Sequence, residues 1–423
     1  MAFRIALSGL DAASTDLEVT GNNIANASTV GFKESRAEFA DIYANSLSDV
    51  SSTVSGSGVR VTGVSQQFGQ GSIDFTANNL DLALNGEGFF VTQSENGDRS
   101  FTRAGSFSVD RDGYVVNHTQ SRLQVFPPVD PAGTLFNTGT TTDLNLPVVS
   151  GDPGATSAVI STVNLDAAEP VPGTPFNAAV FPPLAGSYNH STATTIYDSL
   201  GASHTMSMYY VKEAANPNQW SAYTFVDNAN VPALDGSPEA DLRFDTSGLL
   251  ISGAGDVDAT GQVTMSAFTP AVGAAPITGM TFDYSNATQF GAGFAVNELT
   301  QNGFTSGTLS GVDVDANGVV FARFTNGRSE ALGKVALAHF NNEQGLRQAG
   351  DTSWVESFAS GDAQLGEAGS AGIGVIQSGA LENSNVDIAQ QLVNLITAQR
   401  NFQANAQVIT TADAITQTVI NIR

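Results

Sequence analysis

An α+β fold, mainly β, is expected of this chain, with terminal α-helices that pair as a coiled coil and a β domain interrupted by a second, inserted β domain. Three observations lead there. Apolar residues recur at heptad spacing near both termini, Asn-Gly and Asp-Gly dipeptides punctuate two separate stretches between them, and twelve of the fifteen prolines fall within 147–286. Heptad spacing is the signature of a helix with one apolar seam. The dipeptides suit hairpin turns, and clustered proline marks a change of domain.

The first 45 residues are read as the N-terminal helix. Phe3, Ala6, Leu10, Ala13, Leu17, Thr20 and Ile24 alternate in steps of three and four, and Gly9 and Gly21 weaken the run. Each such glycine costs about 1 kcal/mol relative to alanine in a helix interior. Residues 46–70, rich in serine and glycine to Gly58, have the composition of a flexible linker. From 71 to 146 the pattern becomes short strands, with turns expected at Asn96-Gly97 and Asp112-Gly113, and 287–368 repeats it with Asn317-Gly318 and Asn326-Gly327. Type I′ geometry, with φ > 0 at both central residues, fits these dipeptides. Between them, 147–286 holds thirteen acidic residues against only Lys212 and Arg243, and its strand-like runs 205–211 and 220–226 make it an acidic β module. A linker and the C-terminal helix complete the chain over 369–423. The helix carries Ile388, Leu392, Leu395, Ala398, Phe402 and Ile409 on one stripe, with Ser384 and Asn385 available as caps and no Gly or Pro inside it.

Composition narrows the function. The 423 residues are 41% apolar but only 13% charged, about half the usual share, and the formal charge is −25. So acidic a chain is a poor partner for nucleic acid, whose phosphates need a basic surface. There is no cysteine, hence no disulfide or thiolate chemistry. No apolar run approaches the length of a membrane span, and the first residues lack the pattern of a secretory signal. The four histidines, His118, His190, His204 and His339, are scattered without metal-ligand spacing. No Gly-x-Gly pair extends to a dinucleotide or phosphate-loop fingerprint. Asp313, Asp315 and Asn317 match the opening of a calcium loop, but Phe324 stands where its bidentate glutamate belongs, and a hairpin turn explains the run better. No catalytic, cofactor or metal residue is assigned, and no enzyme is expected.

Both ends resemble the flagellar axial protein family of rod, hook and hook-associated proteins. The resemblance rests on Ser8 to Thr15, on Asn22-Asn-Ile-Ala-Asn through Val30-Gly-Phe-Lys33, on Ser384-Asn-Val-Asp387, and on Leu395-Ile-Thr-Ala-Gln-Arg-Asn-Phe402 through Ile409. Residues 69–76, 80–90 and 101–105 are similar to the inner β domain of the hook and distal rod branches. Residues 313–323 and 332–338 are similar to its return half in the hook branch. The inserted acidic domain favours hook over rod, and the likeness is weakest over 138–190. One departure is His118-Thr-Gln-Ser121, where the family usually has a glycine-containing turn.

The resemblance implies a structural subunit, exported without a cleaved signal peptide, that polymerises with itself into a curved flexible tube carrying motor torque to the filament. Terminal helices would line its channel and β domains form its outer shells. Implied partners are the distal rod, hook cap, hook-filament junction protein, hook-length control protein and the type III export gate. The assembly seam would comprise Leu10, Ala13, Leu17, Ile24, Ile388, Leu392, Leu395, Phe402 and Ile409. Phe39 and Tyr43 resemble the family's proposed aromatic export motif, although by spacing alone they also fit one face of a short packed helix. The alternatives are a distal rod or other axial protein with an insertion and, in a different class, an extracellular β-rich adhesin, for which paired terminal helices have no purpose.

Overall fold

The structure, a computed structural model, describes residues 2–42, 56–130, 132–146, 152–271, 273–370 and 372–421. The chain divides into two units, one made of Met1–Val148, Ser310–Arg323 and Ser329–Arg423, the other of Val149–Leu309 and Phe324–Arg328.

The first unit opens with helix α1 (Ala2–Ala25) and closes with helix α2 (Ile388–Asn421). α1 is much shorter than the 45 residues that the heptad reading assigns to it. Asn22, Asn23, Asn26, Ser28 and Thr29 are weak helix formers. Gly31 then turns the chain with φ +69°, and a Cβ there would lie 2.4 Å from the Ala104 nitrogen. The chain continues into strand β1 (Ser35–Asp41), paired antiparallel with strand β2 (Val59–Gln66). The segment read as a linker therefore contains a strand, built on Val59, Val61, Thr62 and Val64, whose β-branched side chains suit one. Residues 46–55 lie outside the described residues. α2 is capped by Asp387, whose carboxylate accepts the Ala389 and Gln390 amides at 2.8 and 3.2 Å. Ser384 and Asn385, the expected caps, lie before the helix.

Between the helices is a thirteen-stranded sheet. Its main path runs through Leu309–Val314, Val319–Phe324, Ser329–Val335, Arg122–Phe126, Phe89–Gln93, Arg99–Thr102, Ser353–Val355 and Arg347–Gly350. Strands from either side of the insertion are neighbours: Lys334 pairs with Phe126, and Leu337 with Phe90. Phe89, Phe101, Phe126, Phe340 and Trp354 fill the core, with Phe101 and Phe340 edge to face at 4.9 Å. Val375–Ser378 pairs with Leu82–Asn85, and Ala380–Glu382 with Ile73–Phe75, so the presumed linker before α2 is woven into the β domain.

The hairpin turns are not type I′. Gly97, Gly113, Gly318 and Gly327 take φ between +81° and +92°, whereas Asn96, Asp112, Asn317 and Asn326 do not have positive φ. In each turn the glycine amide bonds the carbonyl three residues back, as Gly318 does to Asp315 at 2.9 Å. This is a type I turn closed by a left-handed glycine and a bulge. Asp315 is a turn builder, its Oδ1 accepting the Asn317 and Val319 amides at 2.9 and 2.8 Å, and Asp313 pairs with Arg323.

The second unit contains a four-stranded sheet (Gln262–Thr264, Thr281–Asp283, Ala158–Asn164, Ala295–Gln301) and a five-stranded one that includes His190–Tyr197, Ser203–Lys212 and Gln219–Val226. One core joins them, with Val159, Val163 and Phe282 from the first packed among Met206, Met208, Tyr210 and Trp220 from the second. The unit runs past 286, where proline counting ended it, because Ala295–Gln301 pairs with Ala158–Asn164 across the whole insertion.

Inside this unit His204 hydrogen-bonds Asp227 through Nδ1 and Asp198 through Nε2 at 3.2 Å. Burial pulls the imidazole down, but its bonds to Asp227 and Asp198 together outweigh that and hold it above its ordinary value. A group whose folded pKa is raised contributes stability that is complete below about 6.5 and is lost as pH rises through the folded value. Asp227 is half exposed, which limits the effect to about 1 kcal/mol. With Trp354→Phe leaving Trp220 as the sole tryptophan, urea unfolding followed by fluorescence should show this unit less stable at pH 9 than at pH 6. His204→Gln should remove that loss and reverse the difference, because burial holds His190 of the same unit below its ordinary value and so favours the higher pH.

Candidate assembly interface

α1 and α2 pack together antiparallel: Gly9 faces Asn405 at one end, and Asn23 faces Gln391 at the other. A Cβ on Gly9 would lie 2.7 Å from Asn405 Oδ1, so the glycine that weakens the helix also lets its partner approach. Ala13 and Ala398 are buried between the helices, and Leu10, Leu17, Ile24, Leu395, Phe402 and Ile409 are half-buried. Ile388 and Leu392 do not join them, being 51% and 46% exposed. Their inward place is taken by Gln391, buried because it is bonded: its Nε2 donates to Glu34 Oε1 at 2.8 Å, and its Oε1 accepts from Asn23 Nδ2 at 3.5 Å.

The foot of the helix pair is clamped to the β domain by polar side chains from both terminal motifs. Asn23 grips the Ser35 backbone, donating to its carbonyl at 2.7 Å and accepting its amide at 2.9 Å. Asn385 accepts the Glu34 amide at 2.8 Å and donates to the Gln67 carbonyl at 2.7 Å. Beneath them is an ionic joint with no exposed side chain. Glu382 Oε1 accepts from Lys33 Nζ at 2.6 Å and from the Gly71 amide at 2.9 Å, and Arg103 lies 3.5 Å from Oε2. Lys33 also donates to the Gly69 carbonyl and Arg103 to that of Gly86, both at 2.8 Å. The Arg103 guanidinium stacks over the Phe89 ring. Burial lowers the Lys33 pKa, and Glu382 opposes the shift. Sequence reading missed this joint, although Lys33 closes one terminal motif, Arg103 lies in the Phe101-Thr-Arg segment and Glu382 shortly precedes the other motif.

Phe39 lies on β1, 43% exposed, beside a groove of about 430 Å³ lined by Asp16, Val19, Thr20, Glu34 and Thr397 among others. The packed-helix account of its spacing to Tyr43 fails for Phe39, which is in a strand. Tyr43 lies outside the described residues. Among the described residues no group of three or more His, Asp or Glu side chains could hold a metal ion, and no helix is long and apolar enough to cross a membrane.

Among what the helix pair leaves uncovered are many large apolar side chains. Phe3, Leu7, Ile388, Leu392, Val393, Ile396, Val408, Ile415 and Ile420 are all at least 44% exposed. A helix apolar on opposite faces is a helix meant to be surrounded. Such a surface is suited to association rather than to chemistry.

Comparisons with known proteins agree along the whole chain. Residues 3–33 match the family described as flagella basal body rod protein, 83–162 the flagellar hook protein FlgE/F/G D1 domain, 164–304 the flagellar basal body protein FlaE D2 domain, and 377–422 the flagellar basal body rod FlgEFG protein C-terminal. The flagellar hook protein FlgE of Escherichia coli is 36% identical over 100% of both chains, and that of Salmonella typhimurium 35% identical over the same share. The flagellar hook protein FlgE of Treponema pallidum is 33% identical, over 99% of this chain and 98% of its own. The solved flagellar hook protein FlgE2 of Helicobacter pylori aligns at TM-score 0.49 and 15% identity, over 72% of this chain and 99% of its own.

Proposed function

The chain belongs to the flagellar hook protein family, and from that premise we propose that it is the subunit of a hook that grows by self-association of its terminal helix pairs. The exposed apolar surface of α1 and α2, presented by both ends of the chain at once, is the observation that carries the reading. Burying it among copies is favourable by about 25 cal/mol for each Å² removed from water. The polymer is a curved, flexible tube that carries motor torque to the filament, outside the cell. Its neighbours in the flagellum are the distal rod, the hook cap, the hook-filament junction protein and the hook-length control protein, and the chain arrives through the type III export gate. The acidic second unit suits weak, exchangeable contacts on the outside of a tube that must bend as it turns. No catalysis is assigned.

Electron microscopy of the purified chain tests this directly: tubes are expected, and a protein that stays monomeric at high concentration contradicts the reading. The export role of Phe39 and Tyr43 is tested by changing both to Ala, which should lower secretion several-fold at unchanged synthesis. Normal secretion with failed assembly would make Phe39 an assembly residue instead.

A further inference from the structure

α2 carries a second stripe, opposite the one that meets α1. Val393, Ile396, Arg400, Ala404, Val408, Thr411 and Ile415 follow one another in steps of three and four, all exposed, with Val393 57%, Ile396 49%, Val408 46% and Ile415 60% open to solvent. A single charge, Arg400, sits in this apolar row, and it is the sole basic residue of the helix. Among the described residues nothing pairs with its guanidinium. Covering the stripe would bury that cation, and a buried charge without a partner costs several kcal/mol.

α1 carries the matching arrangement. Arg4, Leu7, Asp11, Glu18, Asn22 and Ala25 lie on one exposed stripe, facing away from the seam. Asp11 and Glu18 are two turns apart, about 10 Å, and neither carboxylate has an ion-pair partner among the described residues. Arg4 lies two further turns toward the N-terminus. A symmetric contact of one α2 stripe on another would bring together two cations and no acid, because Asp413 lies off that stripe. A head-to-tail contact of the α2 stripe on the α1 stripe supplies the missing acids, and head-to-tail contacts are those that propagate into open helical polymers.

We propose that the exposed α2 stripe of one subunit packs on the exposed α1 stripe of a second copy, with Arg400 held by Asp11 and Glu18, and that this pairing sets the register of subunits along the polymer. The proposal rests on the self-associating reading above and adds to it which faces meet and how they choose their offset. Shape alone would let two smooth apolar stripes slide by a turn; one cation facing two acids does not.

The test uses two full-length variants, Arg400→Glu and the double change Asp11→Lys with Glu18→Lys, each checked by circular dichroism for unchanged helix content. Either variant alone places like charges in the contact, and its critical concentration for tube formation should rise about tenfold or more over the unaltered chain. Mixed in equal amounts, the two should polymerise again near the original concentration. In the mixture the glutamate introduced on α2 meets the lysines introduced on α1 in one contact, and Arg400 meets the original acids in the next. Tubes from either variant alone at the original concentration overturn the pairing, as does a mixture that stays monomeric while the unaltered chain polymerises. If the unaltered chain forms no tubes, the self-association reading falls first and takes this one with it.

Discussion

Glu382→Ala should destabilise the first unit by about 3–5 kcal/mol, because it leaves Lys33 and Arg103 as buried cations with no counter-charge. The loss spreads through three segments far apart in the chain. Lys33 holds the turn after α1, Arg103 follows the interior strand Arg99–Thr102 and holds the Gly86 carbonyl, and the Glu382 backbone carbonyl accepts the Gly31 amide at 2.8 Å just before the chain enters α2. Trp354 belongs to the adjoining core, so with Trp220→Phe its fluorescence reports this unit alone during urea unfolding. The complementary experiment replaces all three, Lys33→Met, Arg103→Met and Glu382→Leu, and should recover most of the loss. Arg103 Nε has no hydrogen-bond partner, so the joint is not fully satisfied and an apolar substitute of similar volume gives up little. A single change as mild as the triple one would mean that water reaches the joint and screens it.

The sequence displays its helices because both carry a period, and its insertion because proline and acid cluster there. It conceals what depends on distance along the chain. Nothing local joins Lys33, Arg103 and Glu382, since no sequence pattern shows that Lys33 and Glu382, 349 positions apart, share a hydrogen bond. The inward face at the start of α2 is hidden for a different reason. Ile388 and Leu392 fit the three-and-four spacing, but a helix with apolar residues on opposite faces offers two such series, and periodicity cannot say which one meets α1. Gln391 decides it through bonds to Glu34 and Asn23 that only the folded chain contains. β2 is masked by composition, because the serine and glycine around it suggest a linker while Val59, Val61 and Val64 need β1 as a partner to become a strand. The four turns are legible in place but not in type, as the dipeptides mark where a chain reverses and not which of the two residues takes positive φ.

Ala398→Asp should separate the helix pair and abolish polymerisation while leaving both β cores folded. Ala398 has no exposed surface and lies on the α2 face that packs against α1, so a carboxylate there must either be buried without a partner or push the helices apart. Burial without a partner costs several kcal/mol. An isolated antiparallel pair held by Leu10, Ala13, Leu17, Leu395, Phe402 and Ile409, most of them only half-buried, has little stability in reserve. α1 and α2 are the two α-helices among the described residues, so far-ultraviolet circular dichroism should lose most of its helical signal. Trp220 and Trp354, each in a β core, should keep their native fluorescence. Phe402→Asp should act in the same direction and more weakly, because that ring is already half open to solvent. Leu392→Asp is the discriminating partner, since Leu392 is 46% exposed and its replacement should leave the monomer's helix signal intact. Were Leu392→Asp to melt the pair as Ala398→Asp does, the start of α2 would meet α1 as the heptad spacing suggests, with Ile388 and Leu392 inside and Gln391 turned out.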